Sequence, residues 1–254
     1  MARVLITGSS EGLGLMAGQL LIADGHEVVL HARNPGRAAD TRAGAPGAAE
    51  VLVGDFGELA GVRAVAEQAE RSGRFDAVIH NAGVYNRGER RESAEGHELH
   101  FAVNVLAAYL LVATMRRPDR LVFLSSGMHR SGTPDLDDVD WTRRRWSGSQ
   151  AYSDSKLFDV VLSNAVARRW PEVRSNAVEP GWVATRMGGP GASDDLAAAP
   201  VTQAWLAVSA DTDAAVSGGY WFHQRRVDAH PATASTDLQD DLVDLCASLT
   251  GAVL

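Results

Sequence analysis

The chain has 254 residues, 45% hydrophobic and 22% charged, with a formal net charge of −8. This length fits one large domain or two small ones, with a core large enough to fold independently. The acidic balance argues against a nucleic-acid or anionic-membrane partner.

Cys246 is the only cysteine, so no intramolecular disulfide can form and a reducing, cytoplasmic compartment is expected. The first residues pass directly into a strand pattern, so we expect no signal peptide. No apolar run reaches the ~20 residues that a membrane-spanning helix needs, so we expect no membrane partner.

Short aliphatic runs alternate with longer helical patterns along the chain. Seven strands are predicted, at Arg3–Thr7, Glu27–His31, Glu50–Val53, Ala77–His80, Arg120–Ser125, Val173–Val178 and Tyr220–His223. Five helices are predicted, at Leu13–Asp24, Leu59–Ser72, His97–Arg116, Ala151–Trp170 and Thr202–Ser209. The pattern indicates an α/β fold, a doubly wound parallel sheet of about seven strands with helices on both faces. We interpret residues 1–254 as a single domain.

The first strand leads into Gly8-Ser9-Ser10-Glu11-Gly12-Leu13-Gly14. Small residues at this strand-to-helix turn would let a phosphate approach the backbone, where free N–H groups and the helix dipole favour an anion. The spacing differs from the commonest dinucleotide fingerprint. A tight turn that only needs small residues is the alternative.

Arg33 follows the second strand, where no acidic residue stands to bind the ribose hydroxyls of NAD. A guanidinium there suits the 2′-phosphate of NADP. The alternative is a solvated arginine in a turn. Glu11 would repel the extra phosphate if its side chain pointed inward.

Tyr152 and Lys156 lie four residues apart in a predicted helix, so both side chains share one face. A neighbouring ammonium favours the phenolate and would lower the tyrosine pKa toward neutrality, as proton exchange requires. A surface tyrosine beside an extended lysine is the alternative. Ser126 could donate to a carbonyl oxygen near the phenol, whereas Ser125 is interpreted as a turn cap. Asn104 could hold a water beside Lys156, or tie neighbouring backbone.

Together these motifs resemble those of the single-domain short-chain dehydrogenases/reductases. The matching stretches, in the family's order, are Thr7–Gly14, Asp55, Asn81–Gly83, Asn104, Leu124–Gly127, Tyr152–Lys156 and Pro180–Met187. The resemblance implies a Rossmann-type, dinucleotide-binding domain and a catalytic group of Asn104, Ser126, Tyr152 and Lys156. It implies cofactor contacts from Gly8, Ser10, Gly12, Leu13, Gly14, Arg33, Asp55, Phe56, Asn81, Ala82, Gly83, Tyr152, Lys156, Pro180, Gly181, Val183 and Thr185, and no metal. Asp55 would approach the adenine, Asn81 and Gly83 would border the adenosine, and Pro180–Thr185 would hold the nicotinamide end.

The long stretch from Ser126 to Tyr152 is similar to the branch of retinol dehydrogenases and bacterial ketoreductases. That branch generally prefers NADP, in agreement with Arg33, so NADP (NADPH) is expected rather than NAD. Glu179 stands where the branch often has histidine, so substrates are not carried over. The family also implies a homodimer or homotetramer, formed through the helices predicted at His97–Arg116 and Ala151–Trp170.

The function predicted is an NADP(H)-dependent oxidoreductase that interconverts a carbonyl and an alcohol on a small, apolar organic substrate. A non-catalytic NADP(H)-binding sensor is the alternative from another class, and a sugar-nucleotide epimerase is a third. Residues 127–150 and 188–200 are expected to form substrate loops, the second a lid that orders when cofactor binds. Trp141, Trp146, Trp182 and Met187 could line an apolar pocket or act as packing anchors.

Overall fold

The computed structural model describes all 254 residues, and its strands and helices alternate along the chain. The strands are β1 (Arg3–Ile6), β2 (Glu27–Ala32), β3 (Glu50–Val53), β4 (Ala77–His80), β5 (Arg120–Leu124), β6 (Arg174–Val178), β7 (Tyr220–Phe222) and β8 (Arg225–Arg226). The helices are α1 (Gly12–Ala23), α2 (Pro35–Gly44), α3 (Leu59–Ser72), α4 (Ala107–Thr114), α5 (Gly148–Arg169), α6 (Val201–Val208) and α7 (Thr236–Thr250). None of the helices is long and apolar enough to cross a membrane.

All eight strands form one sheet in the order β3-β2-β1-β4-β5-β6-β7-β8. Every neighbouring pair is parallel except β7 and β8, which are antiparallel. The strand order reverses between β1 and β4, and in doubly wound folds the crevice at this point, beyond the carboxyl ends of the strands, binds ligands. The predicted fold class and all seven predicted strands are confirmed.

Four elements differ from or add to the sequence predictions. The helix α2 was not predicted because Asn34-Pro35-Gly36 has turn chemistry, yet the Asn34 side chain accepts a hydrogen bond from Arg37 N–H and caps the helix. The C-terminal helix α7 and the two-residue strand β8 were also missed. The helix expected from His97 contains a π-helical turn, Phe101–Leu106, that leads into α4.

Two hydrophobic clusters cover the two faces of the sheet. The larger includes residues of α3, α4, α5 and α7, and the smaller includes residues of α1, α2 and α6. The helix α5 packs against the sheet, the π-helical turn and α7, and it is buried over most of its length. The polar side chains in the middle of α5, from Ser153 to Ser163, therefore lie in the interior, where each needs a partner.

Two buried histidines are expected to make the fold sensitive to acid. His80 stacks on Phe123 with a centroid separation of 4.7 Å, and neither of its ring nitrogens has a hydrogen-bond partner. Burial lowers the pKa of His80 to about 3 and the pKa of His31 to about 4. The unfolded chain binds protons at these sites below pH ~6.5, whereas the folded chain does not, so stability falls as the pH drops from ~6.5 toward these values.

We therefore predict that lowering the pH from 7 to 5 costs about 2 kcal/mol of unfolding free energy for each of these histidines. His80→Leu should remove one contribution and flatten the pH dependence, while His223→Asn, at an exposed position, should leave it unchanged. Urea unfolding at pH 5, 6 and 7 measures this. A His80→Leu protein as acid-sensitive as the unsubstituted chain would contradict the prediction.

Candidate functional site

The glycine loop, defined as Gly8–Gly14, runs from the end of β1 into the first turn of α1, at the carboxyl edge of the sheet. Gly8 and Gly12 have φ values of +61° and +59°, a region that glycine adopts without strain. A Cβ on Gly8 would lie 2.6 Å from Ala82 Cα, so this position also needs the missing side chain for close packing. Gly14 packs equally closely on the Asn81 side chain and Gly8 O. The loop therefore needs glycine for two reasons, the positive φ values at Gly8 and Gly12 and the close packing at Gly8 and Gly14.

His31 lies beneath this loop and joins three strand ends, a role that the sequence analysis did not assign. Its Nδ1 accepts a hydrogen bond from Gly8 N–H at 2.9 Å, so Nε2 carries the proton and donates to Gly54 O at 2.8 Å. The ring stacks on Phe56, with centroids 4.2 Å apart. Because burial keeps His31 neutral at pH 7, it can fix the loop through this acceptor.

The Asn81–Gly83 segment follows β4 and faces the glycine loop. Asn81 Nδ2 donates to Thr7 O and Gly8 O, both at 2.9 Å. Its Oδ1 is buried and has no partner, so it can accept a hydrogen bond from a ligand. A Cβ on Gly83 would lie 3.3 Å from Asn104 Oδ1 and 3.4 Å from Lys156 Nζ, so these two polar atoms border the same space.

Asn104 lies in the π-helical turn, and such turns often occur at functional sites. Its Oδ1 accepts from Val84 N–H at 2.8 Å, and its Nδ2 donates to Ser155 Oγ at 2.9 Å. The side chain is therefore hydrogen-bonded to neighbouring backbone, which is one of the two roles predicted for Asn104. The oxygen keeps a second lone pair on the side of Gly83 and Lys156, which leaves the water-holding role as a prediction.

Ser125 and Ser126 end β5 with different contacts. Ser126 Oγ accepts from Met128 N–H at 3.2 Å and caps a short 3₁₀ turn, Gly127–Ser131. Ser125 Oγ donates to Lys156 O at 2.7 Å and joins β5 to α5. The cap was expected at Ser125, so that assignment is wrong. Ser126 can still donate its own proton while it caps the turn, because a hydroxyl has one donor and two lone pairs.

Tyr152 and Lys156 both lie on the buried side of α5, and Lys156 Nζ is 5.8 Å from the centre of the Tyr152 ring. The Tyr152 ring stacks on Tyr85 with centroids 4.3 Å apart. The surface-tyrosine alternative is therefore wrong. Lys156 Nζ donates to Leu124 O at 2.8 Å and to Asp159 Oδ2 at 2.7 Å.

The Tyr152 pKa departs from the sequence expectation. Burial raises the pKa of the phenol above its ordinary value of 10.0, and this outweighs the Lys156 charge and the Ser126 hydroxyl, which both lower it. The neighbouring ammonium therefore lowers the pKa as expected, but not by enough to offset burial, and the net pKa lies above the ordinary value. A phenol kept protonated in a buried site can still act as a proton donor.

Lys156 is the only lysine in the chain. The 24 lysines and arginines otherwise consist of arginine alone. Position 156 is thus the one place where this arginine-rich chain carries a compact ammonium, whose shape and donors differ from those of a planar guanidinium.

The segment after β6 covers the glycine loop from the other side. Gly181 has a φ of +86° and packs on Asp194, whose Oδ2 accepts from Trp182 N–H at 2.6 Å. Thr185 comes within 3.8 Å of the Cβ position of Gly12. Thr185 therefore lies beside the glycine loop, while the role of Pro180, Gly181, Val183 and Thr185 in holding the nicotinamide end stays a prediction. The ordering of loop 188–200 on cofactor binding stays a prediction.

Glu11 is held in ion pairs at the mouth of this loop. Its Oε2 lies 2.6 Å from Arg37 Nη2, and its Oε1 lies 3.4 Å from Arg186 Nη1. The hydrogen bond from Arg37 holds the pKa of the Glu11 carboxyl below its ordinary value. The expected repulsion of a phosphate by Glu11 is thus offset by two arginines, of which Arg37 was not singled out from the sequence.

The remaining predicted cofactor residues surround the same edge. Arg33 is exposed just after β2, and Asp55 is exposed just after β3, where its Oδ1 accepts from Gly57 N–H at 2.9 Å. Phe56 is buried against His31, so its side chain supports the loop. Ser10 and Leu13 lie half-buried within or next to the glycine loop.

Of the predicted pocket residues, Met187 contacts the phenol, with Sδ 3.9 Å from Tyr152 Oη. Met187 and Trp182 are both partly exposed, at 43% and 54%. Trp141 is buried under the Arg144 guanidinium and acts as a packing anchor. Arg144 also pairs with Asp138 and Asp154, so in the run Arg143–Arg145 only the first and last arginines are exposed to solvent.

Glu179 ends β6 beside the 3₁₀ turn that begins at Gly127. Its carboxylate accepts from Arg130 Nη1 at 3.0 Å and from Tyr220 Oη at 3.2 Å. Hydrogen bonding to Glu179 raises the pKa of Arg130. The residue that departs from the family branch is therefore committed to an ion pair within the fold.

Comparisons with known proteins agree with this geometry. A family model described as enoyl-(acyl carrier protein) reductase matches residues 8–217. The short-chain dehydrogenase chyC of Penicillium rubens is 40% identical over 99% of this chain and 98% of its own length. A protein of Streptomyces sp. (strain C5), provisionally named daunorubicin C-13 ketoreductase DnrU, is 34% identical over 98% of this chain and 92% of its own.

Among solved structures, the NADPH-dependent 3-quinuclidinone reductase of Rhodotorula rubra superposes with a TM-score of 0.66 at 21% identity, covering 86% of this chain and 88% of its own. The chain therefore belongs to the short-chain dehydrogenase/reductase family. It is an oxidoreductase of that family, which confirms the resemblance inferred from its motifs.

Proposed function

We propose that the protein interconverts a carbonyl and an alcohol on a small apolar organic substrate and uses NADP(H). One observation carries the proposal: Tyr152, Lys156 and Ser126 meet at the carboxyl edge of the sheet, next to the glycine loop. A non-catalytic sensor would not need a buried phenol and ammonium together at this edge.

The residues at this edge fit a nicotinamide dinucleotide. Backbone N–H groups at the start of α1 suit a pyrophosphate. The unpartnered Asn81 Oδ1 suits a hydroxyl donor such as a ribose. Pro180, Gly181, Val183 and Thr185 would hold the nicotinamide end, and Asp55 would approach the adenine. When bound, the cofactor would supply or accept the hydride.

The side chains of the chain would manage the proton. Tyr152 Oη would give its proton to the substrate oxygen in reduction and take it back in oxidation. The Ser126 hydroxyl would donate a hydrogen bond to the same oxygen and orient it. Lys156 would stabilise the phenolate that forms when the proton leaves, because its charge lowers the phenol pKa. Asn104 would position a water between Lys156 and solvent.

The preference for NADP is proposed from two arginines at the end of β2. Arg33 is exposed there, and Arg37 lies one turn into α2, on the side that reaches Glu11. The Arg33 guanidinium can bind a 2′-phosphate through two oxygens, while Arg37, paired with Glu11 and Asp40, offsets the Glu11 charge that would repel the phosphate. The name of the Rhodotorula rubra neighbour, an NADPH-dependent reductase, supports the same preference.

We predict that Arg33→Asp weakens NADPH binding at least ~10-fold and favours NADH, since it replaces a phosphate partner by an acceptor for ribose hydroxyls. Arg37→Ala should weaken NADPH in the same direction. Arg42→Ala, in the last turn of α2, is the matched control. Fluorescence titration of both cofactors tests each protein. An unsubstituted chain that binds NADH more tightly than NADPH would overturn the assignment.

The apolar character of the substrate is proposed from Tyr85 and Met187, which contact the phenol ring and its hydroxyl. A panel of ketones and alcohols, assayed with each cofactor, tests the reaction class directly. Turnover of polar, charged carbonyls in preference to apolar ones would contradict this part of the proposal. Self-association through α4 and α5, and a cytoplasmic location, stay predictions.

A further inference from the structure

A buried carboxylate lies one helical turn beyond Lys156 and has no role in the reaction proposed above. Asp159 Oδ2 is 2.7 Å from Lys156 Nζ, and both side chains are only 5% exposed. Leu124 O accepts a second N–H of the same ammonium at 2.8 Å. The pair thus lies inside the protein, below the proposed site.

A lysine this deeply buried would lose its proton if it stood alone, because burial disfavours the charged form. Burial does act against the Lys156 ammonium, but the charge of Asp159 raises the pKa of Lys156 above its ordinary value. An ion pair in the interior is stable only when its geometry is good and its remaining donors are bonded. The Leu124 carbonyl provides that additional bond.

We propose that Asp159 is a positioning residue that holds Lys156 as a fixed ammonium, with one N–H left for the cofactor. The inference rests on the proposed function, since it gives Lys156 a cofactor to bind. An ammonium has three donors, and two are engaged by Asp159 and Leu124. A Cβ on Gly83 would lie 3.4 Å from Nζ, so the missing side chain leaves this side of the ammonium uncovered.

The groups that face this ammonium are few. Asp159 and Tyr152, both on α5, are the ionisable ones that act on it. The strand β5 contributes the neutral Leu124 carbonyl, and the π-helical turn contributes the neutral Asn104 amide, across the space at Gly83. A change in the pKa of Lys156 can therefore be attributed to one of these neighbouring groups.

Asp159 does not directly help Tyr152 to ionise. Its negative charge raises the pKa of the phenol, whereas Lys156 lowers it. Asp159 therefore favours proton loss from the phenol only indirectly, through the ammonium that it keeps charged and in place. This is the role of a positioning residue for Lys156 and not of a direct partner of the phenol.

The test uses the fact that Lys156 is the only lysine. Protein grown with lysine labelled with ¹³C at Cε gives one lysine signal, whose shift with pH reports the Lys156 protonation state in the cofactor-free chain. We expect Lys156 of the unsubstituted protein to keep its proton beyond the ordinary lysine value of ~10.4. In Asp159→Asn we expect the acid dissociation constant of Lys156 to rise at least ~10-fold.

Asp154→Asn is the matched control, because Asp154 is a buried carboxylate on the same helix that pairs with Arg144 at 2.9 Å. It should leave the Lys156 titration unchanged. Equal titration of Lys156 in Asp159→Asn and in the unsubstituted chain would overturn the proposal. If Asp159→Asn fails to fold, the unsubstituted chain still decides, since a Lys156 that loses its proton well below pH 10 would also overturn it.

NADPH binding, measured by fluorescence between pH 6.5 and 9.5, adds the functional readout. The affinity of the unsubstituted chain and of Asp154→Asn should vary little, while Asp159→Asn should lose affinity as Lys156 deprotonates. An affinity of Asp159→Asn that parallels the control at every pH would overturn the positioning role. If the unsubstituted chain binds no NADPH, the proposed function fails, whereas the lysine titration still reports the coupling to Asp159.

Discussion

Tyr152→Phe is expected to lower turnover at least ~100-fold, the loss typical when a general acid is removed, while NADPH affinity stays within about twofold. Phenylalanine keeps the ring that stacks on Tyr85 at 4.3 Å, so the fold and the pocket wall should survive. Only the ionisable proton next to Ser126 and Lys156 is lost. Steady-state kinetics on the best substrate of the panel, together with cofactor titration, measures both quantities.

Tyr109→Phe is the control for the loss of a buried tyrosine hydroxyl. Tyr109 donates to Ala252 O at 2.9 Å and lies in the core, outside the proposed site. It should retain nearly full turnover. A Tyr152→Phe protein with more than a tenth of the original turnover would show that another group supplies the proton. If the unsubstituted chain binds cofactor but converts no substrate in the panel, the sensor hypothesis gains support.

Gly8→Ala should abolish measurable cofactor binding and destabilise the fold. The alanine would have to adopt a φ of +61°, which costs about 1–2 kcal/mol, and its Cβ would lie 2.6 Å from Ala82 Cα. The clash is with backbone, so the loop must move away from Ala82 and from His31, which accepts the Gly8 N–H. Loop movement of this kind removes the N–H groups from the place where a pyrophosphate would bind.

Gly25→Ala separates the two effects. Gly25 has a φ of +80°, but no atom lies within 4 Å of its Cβ position. It should lose about 1–2 kcal/mol from backbone strain alone and keep its cofactor affinity. Thermal unfolding and fluorescence titration of the two variants make the comparison. Equal losses of stability, or intact cofactor binding in Gly8→Ala, would show that the contact with Ala82 does not fix the loop.

The fold was predictable because its signals are local and repeated. Aliphatic runs such as Val4–Ile6 and Val28–Leu30 are buried on both faces, as parallel strands require, and the glycine loop follows the first of them. The helix α2 escaped prediction since Pro35 and Gly36 are typical turn residues, and its stability depends on the Asn34 cap and on packing against β2 and β3. Strand β8 is too short to carry any periodic signal.

The site was predictable where residue type and spacing carry the chemistry, as with Tyr152 and Lys156. Contacts that depend on packing were not. His31 reaches Gly8 and Gly54 only because β1, β2 and β3 end at one edge. The hydrophobic periodicity of the sequence does not indicate the π-helical turn at Asn104. The raised pKa of Tyr152 follows from burial, which spacing along a helix cannot give.

The short strand β8 has a consequence for how copies of this protein can meet. Any sheet with an open edge offers unpaired backbone groups on which another sheet can add, a common route to aggregation. Here the last strand has two residues, Arg225 and Arg226, and both are exposed. A second copy docked edge to edge about a twofold axis would bring four guanidinium groups together. Like charge and a short ladder thus protect this side of the sheet from continuing into a neighbour.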